Sequence, residues 1–185
     1  MPVHATIKDM NRSSPTSNKL TIRDHTVKAP VHKLERMVYD AKHSTDSDHL
    51  SRTATILIKE GGSVITEQED PTQNANECYL GFKKTYDFYY QFFKRNSIDG
   101  RGLELDGYVH FGKNYLNAFW DGKKMVFGDG DGVIFNGFTD ELDVIAHELT
   151  HGVVQYTARL EYEYESGALN ESLADVFGIM VKQWG

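Results

Sequence analysis

The residues best suited to chemistry are His147-Glu148-Leu149-Thr150-His151, an H-E-x-x-H pattern. On a helix of 3.6 residues per turn, positions i and i+4 lie about 40° apart, so both imidazoles leave one face toward one point. Zinc accepts neutral imidazole nitrogen and carboxylate oxygen, and a catalytic zinc takes three protein ligands with a fourth position left to water. The third ligand has a source in Asn170-Glu171-Ser172-Leu173-Ala174-Asp175. Glu171 and Asp175 are four apart and share a helical face, so Glu171 can ligate while Asp175 accepts a ring N–H from one zinc histidine. Asn170 can orient the other, and such bonds fix the tautomer whose lone pair faces the metal. Glu148 adjoins a ligand and points to the open position, where a general base takes a proton from water acidified by zinc. The expected cofactor is one catalytic Zn²⁺.

Two helices must carry these groups. The first is expected to be capped by Thr139, with Asp140, Glu141 and Asp143 at its positive end, and to run to about Tyr156. The second is expected from about Ser166, with Leu169, Leu173, Val176, Phe177, Met180 and Trp184 on one broad apolar face. Upstream, Tyr79, Phe82, Tyr86, Tyr89, Tyr90 and Phe93 recur at three- to four-residue intervals, which predicts a long amphipathic helix over 74–95 with its aromatic stripe in the core. Residues 35–40 and 53–59 read as strands of an antiparallel sheet, and 108–111, 114–120 and 124–128 as further short strands. Gly-Asp-Gly-Asp-Gly at 128–132 resembles the start of a calcium loop. Val133 and Ile134 stand where such a loop needs an oxygen ligand and a glycine, so a tight acidic turn is the better account.

Composition narrows the partners. The 185 residues carry 20 Lys and Arg against 27 Asp and Glu, a formal charge of −7 that repels phosphate backbones, so nucleic acid is not an expected partner. No segment has the apolar length to cross a bilayer, and no membrane partner is expected. The lone Cys78 cannot form an internal disulfide. Residues 1–30 are polar, with Ser13, Ser14, Pro15, Thr16, Ser17 and Asn18 in one cluster, and are expected to form a flexible tail ahead of a domain over 31–185. The first residues lack the apolar stretch of a secretory signal. Five of the eight histidines, among them His43 and His49, fall in the first fifty residues at spacings that fit no zinc pattern, and read as solvated.

The segments HELTHGVVQYTARLEYEYESGALNESLADVFG and VHFGKNYLNAFWDGKKMVFGDGDG resemble the thermolysin family of zinc endopeptidases, in which His, His, Glu ligation is a well-known zinc site. The resemblance implies an α+β fold, the N-terminal lobe of a thermolysin-like zincin, with an antiparallel or mixed sheet, the long aromatic helix and two zinc-binding helices. It implies His147, His151 and Glu171 as ligands, Glu148 as base, and Asp175 and Asn170 behind the ligands. Tyr162 matches the tyrosine that hydrogen-bonds the tetrahedral intermediate. Asn117 and Ala118 match edge-strand residues that pair with an extended substrate, while Phe135, Phe138 and Val144 match a pocket for a bulky apolar side chain just after the scissile bond. The implied partner is a peptide or protein substrate, and the implied location is secreted, with a cytoplasmic location or non-classical export as the alternative where no Sec signal is visible. Asp143 matches a calcium ligand of the family, but Lys182 stands where a second acidic ligand is expected, which disfavours a double-calcium site. The helical C-terminal lobe that closes the family's cleft is expected to be missing beyond Gly185, which predicts weak activity and self-association through apolar surface left bare.

Overall fold

In a computed structural model of the chain, residues 33–70, 72–131 and 139–185 are described. The polar segment 1–30 lies outside them, as do Phe135 and Phe138. In chain order the elements are β1 (Arg36–Asp40), α1 (Leu50–Thr53), β2 (Thr55–Lys59), α2 (Asn74–Phe93), β3 (Leu105–Val109), β4 (Ala118–Trp120), β5 (Met125–Phe127), α3 (Leu142–Gln155) and α4 (Tyr164–Trp184).

The strands form a mixed sheet in the order β2-β1-β3-β5-β4. β1 and β2 pair antiparallel, as expected from their proximity in the chain, and so do β4 and β5. β1 with β3 and β3 with β5 are parallel. Parallel neighbours need a crossover, and α2 supplies the one between β2 and β3 by crossing a sheet face. The α+β class therefore holds, with the sheet mixed rather than purely antiparallel. The expected strand at 114–120 contracts to Ala118–Trp120, and α1 is a turn of helix that periodicity does not reveal.

Alternation along each strand divides the sheet into two faces. Val38, Leu105, Val109, Met125 and Phe127 point into the main core with Cys78, Tyr79 and Phe82 of α2. Gly107 lets that helix lie close, because a Cβ there would meet Cys78 Sγ at 2.5 Å and the Phe82 ring at 3.0 Å. On the other face Tyr108, Phe111 and Val126 pack with Leu50 of α1, and the rings of Tyr39 and Tyr108 stack 4.6 Å apart. The acidic turn is anchored rather than free. Asp129 accepts from Asn74 Nδ2 at 3.0 Å and lies 2.8 Å from His110 Nδ1, tying 128–131 to α2 and to the residue after β3. Of the histidines expected to be solvated, His43 pairs with the Gly112 carbonyl at 2.8 Å and His49 with Asp46 at 2.8 Å.

α3 lies with Ile145 and Leu149 in the main core, and its Ala146 meets Phe88, Tyr89 and Val181. It begins at Leu142 after Glu141, not at Thr139. The Thr139 hydroxyl donates instead to Glu77 of α2, at 2.8 Å. α4 begins two residues before the expected Ser166. Its buried side is Gly167, Asn170, Ala174, Gly178 and Val181, whereas Leu169, Val176, Met180 and Trp184 of the expected core face are exposed. The small residues set the spacing, since a Cβ on Gly178 would stand 2.7 Å from the Asp143 carbonyl and 3.3 Å from the His147 amide nitrogen. Lys182 closes the far end of the helix pair by contacting Glu141 and lying 3.1 Å from Asp143.

Candidate metal centre and cleft

The close packing of α4 on α3 brings Glu171 over the histidine face of α3. His147, His151 and Glu171 each offer a ligand atom, all within 4.8 Å of one another, and they form the one such group among the described residues. The two Nε2 atoms are 3.0 Å apart, with Glu171 oxygens 3.3 Å from His147 and 3.5 Å from His151. Behind them, His147 Nδ1 lies 2.9 Å from an Asp175 oxygen and His151 Nδ1 lies 2.9 Å from Asn170 Oδ1. An ionised carboxylate and an amide oxygen can only accept, so in the neutral rings both Nδ1 atoms carry the proton and both Nε2 atoms present lone pairs. Two lone pairs face each other beside a carboxylate. A small cation relieves this arrangement, and two imidazoles with one carboxylate are the donor set zinc prefers.

Glu148, next on α3, is half-buried. Burial pushes its carboxyl up from the usual range, while the two histidines and a bond from the Trp120 amide pull the other way. That bond, Trp120 N–H to Oε2 at 3.1 Å, holds the carboxylate against β4. Because backbone groups two apart point to one side of a strand, the outward Trp120 N–H puts the Ala118 N–H and C=O on the same open edge. The Asn117 carbonyl turns inward and accepts from Gly128 at 3.0 Å. Of the two expected pairing residues, Ala118 therefore offers the free backbone, and Asn117 contributes an exposed side chain.

A cleft of about 980 Å³ runs between β4 and α3 and contains His147, Glu148, His151, Asn170 and Glu171. Tyr162 lines it too, 63% exposed and with its ring 5.7 Å from that of His151. A second hollow of about 300 Å³ adjoins Glu148 on the other side and is lined by Val144 together with Ile179 of α4. Several lining residues were not singled out from the sequence, among them Trp120, Gln155, Arg159 and Ile179. Gln155 follows His147 and His151 at the same four-residue spacing, so periodicity could have found it. Its amide accepts from Trp120 Nε1 at 2.8 Å and donates to the Gly122 carbonyl at 3.1 Å. Trp120 acts through its backbone, which leaves no mark in side-chain type.

Facing helices that converge two imidazoles and a carboxylate beside a second, half-buried carboxylate form a candidate metal site of the H-E-x-x-H class. The chain belongs to the thermolysin metallopeptidase family: the family's catalytic domain matches residues 3–155, and its alpha-helical domain matches 158–185. Among its relatives, Protease PrtS of Photorhabdus sp. (strain Az29) is 46% identical over 153 residues, covering 81% of this chain and 38% of that protein. An extracellular metalloprotease of Pectobacterium carotovorum subsp. carotovorum is 54% identical over 126 residues, covering 66% of this chain and 36% of the relative. The solved precursor of protealysin, a metalloproteinase from Serratia proteamaculans, superposes with a TM-score of 0.75 at 45% identity, over 87% of this chain and 47% of that one. The chain thus spans less than half the length of these relatives. By the family boundary, α4 belongs to the alpha-helical domain and α3 to the catalytic domain, so the three clustered side chains come from both.

Proposed function

We propose that the chain is a zinc-dependent endopeptidase that cleaves internal peptide bonds on the amino side of bulky apolar residues. The observation that carries this reading is the pair of Nε2 lone pairs 3.0 Å apart beside Glu171, each oriented by an acceptor on the far side of its ring. His147, His151 and Glu171 would hold the zinc, which when bound supplies Lewis acidity and brings coordinated water toward a pKa of about 7. Glu148 takes the proton of the attacking water and passes it to the leaving amine, and the Trp120 amide keeps the carboxylate aimed. Tyr162 donates to the carbonyl oxygen as negative charge gathers there. The substrate lies along β4 as an added strand on Ala118 and Asn117. Val144, with Phe135 and Phe138, receives the side chain that follows the scissile bond, and the position of Ile179 adds to that apolar wall. Secretion fits the likeness to the extracellular metalloprotease of Pectobacterium. The Lys182 contacts with Glu141 and Asp143 support a reading in which a side-chain ammonium takes the place of calcium at that corner.

A second reading is a zinc-binding form with impaired catalysis that needs a further lobe or a partner. It is favoured by the exposure of Leu169, Val176, Met180 and Trp184, whose bare surface also favours self-association.

One set of measurements tests both. Dialysed protein should retain about one zinc per chain, His147→Ala should lose it, and Glu148→Gln should keep zinc while hydrolysis of a peptide with Leu after the scissile bond falls about 10²- to 10⁴-fold. Folded wild-type protein without zinc would sink both readings. Stoichiometric zinc with no Glu148-dependent cleavage would leave the impaired form standing.

A further inference from the structure

The cleft has an electrostatic asymmetry that the hydrolytic machinery does not use. Its lining carries the carboxylates of Asp121, Glu148, Glu161 and Glu171 against one cation among the described residues, Arg159. Asp121 is already engaged by Lys124 and by the backbone amides of residues 123 and 124. No carboxylate among the described residues pairs with the Arg159 guanidinium, and the residue is exposed.

Its backbone is fixed nonetheless. Arg159 has a φ of +51°, and its N–H donates to the Val154 carbonyl at 2.8 Å, closing the end of α3. Glycine takes that left-handed conformation at least cost, so an arginine here carries strain that a glycine would not.

The direction of the cleft places this cation relative to the reacting bond. β4 runs alongside α3, with Trp120 N–H on Glu148 and the Trp120 ring and Gly122 on Gln155. Val144 and Ile179 flank Glu148 at one end, and Arg159 lies beyond Gln155 at the other. A strand whose residue after the scissile bond sits by Val144 therefore carries its preceding residues toward Arg159. We propose that Arg159 is a specificity residue that selects an acidic side chain on the amino side of the scissile bond. The proposal rests on the peptidase reading above. A guanidinium offers a planar fork of donors to a carboxylate, and the surrounding negative lining would otherwise repel that carboxylate.

The test is binding of non-hydrolysable peptides, with the scissile amide reduced to a methyleneamine, to the zinc-loaded full chain, followed by fluorescence anisotropy. The peptides share Leu after the scissile position and carry Glu, Gln or Lys in turn at each of the three preceding positions. At one of these positions the Glu peptide should bind about 3- to 10-fold more tightly than the Gln peptide at low salt, with the advantage shrinking as salt rises. Arg159→Lys should keep part of the preference, and Arg159→Glu should turn it toward Lys. Arg159→Gly should abolish it while leaving the melting temperature unchanged or higher, because strain is relieved. Equal affinities for all three peptides at every position, or a preference that survives in Arg159→Gly, would overturn the proposal alone. Failure of every peptide to bind would overturn the peptidase reading and the proposal together.

Discussion

α2 and α4 are the two longest helices, and both carry large apolar residues at helical spacing, yet they bury opposite kinds of face. In α2 the stripe is the core, with Tyr79, Phe82, Tyr86 and Tyr89 at 6% exposure or less. In α4 the buried side is mostly small, with Gly167, Ala174 and Gly178 beside Asn170 and Val181, while Leu169, Val176, Ile179 and Met180 are exposed and Phe177 packs on the aromatic end of α2. The reason is distance. α2 fills a broad sheet with its rings and comes close only at single glycines such as Gly107 and Gly81, whereas α4 approaches α3 along a whole face, which brings Glu171 to the histidines. Only residues without bulk permit that approach. Periodicity reveals that a face exists, and the size of the residues on the opposite face reveals which one is buried.

Phe82→Ala in α2 should have the largest effect, about 3 to 5 kcal/mol of stability lost in a denaturant titration, because the ring is fully buried. Gly178→Val in α4 should cost about 1 to 3 kcal/mol by overpacking against the Asp143 backbone and, unlike Phe82→Ala, should weaken zinc affinity in the folded protein. Equal zinc affinity in Gly178→Val and wild type would break the claim that close packing positions the site.

Glu77, in the first turn of α2, gives a smaller effect with a definite sign. Burial, with a hydrogen bond to Asp140 next, pushes its carboxyl up to about 7. An acid whose folded pKa is raised contributes stability that is fully present below its unfolded value near 4.5 and is lost as pH rises through about 7. Glu77→Gln cannot ionise, so its melting temperature relative to wild type should be higher at pH 8 than at pH 5. Val176→Ser, on the outward face of α4, should be the smallest, within about 0.5 kcal/mol for the monomer. A cost comparable to that of Phe82→Ala would mean that this face is covered.

These contrasts explain what the sequence made legible. The clustering of His147, His151 and Glu171 could be read because i, i+4 spacing fixes two of the side chains on one helix, and a second helix offers the matching carboxylate. Their roles as ligands stand as proposals for the metal measurements above. The aromatic stripe of α2 could be read over Tyr79, Phe82, Tyr86 and Tyr89, which are buried, whereas Phe93 of the same stripe is 53% exposed at the end of the helix, where the face outruns the core. Thr139 was expected as a cap, but its hydroxyl found a long-range partner in Glu77, a competition that local pattern cannot anticipate. The parallel pairings were equally hidden, since strand direction follows from the crossover and not from the strands' own residues. The open edge of β4 is backbone chemistry, which any side chain could accompany.

The parallel pairing of residues 36–40 with 105–109 also separates two events in time. α3 and α4 are consecutive and joined by a short link, so their docking closes a small loop, whereas β1 and β3 can meet only after a long one has closed. The helix pair, with all three clustered donors on it, needs no contact from the first half of the chain for those donors to converge. The edge strand that steadies Glu148 reaches its place through β5 and β3. Refolding in the presence of metal should therefore capture the ion in an early phase and acquire an ordered cleft in a slower one, so that loading precedes competence along the folding path.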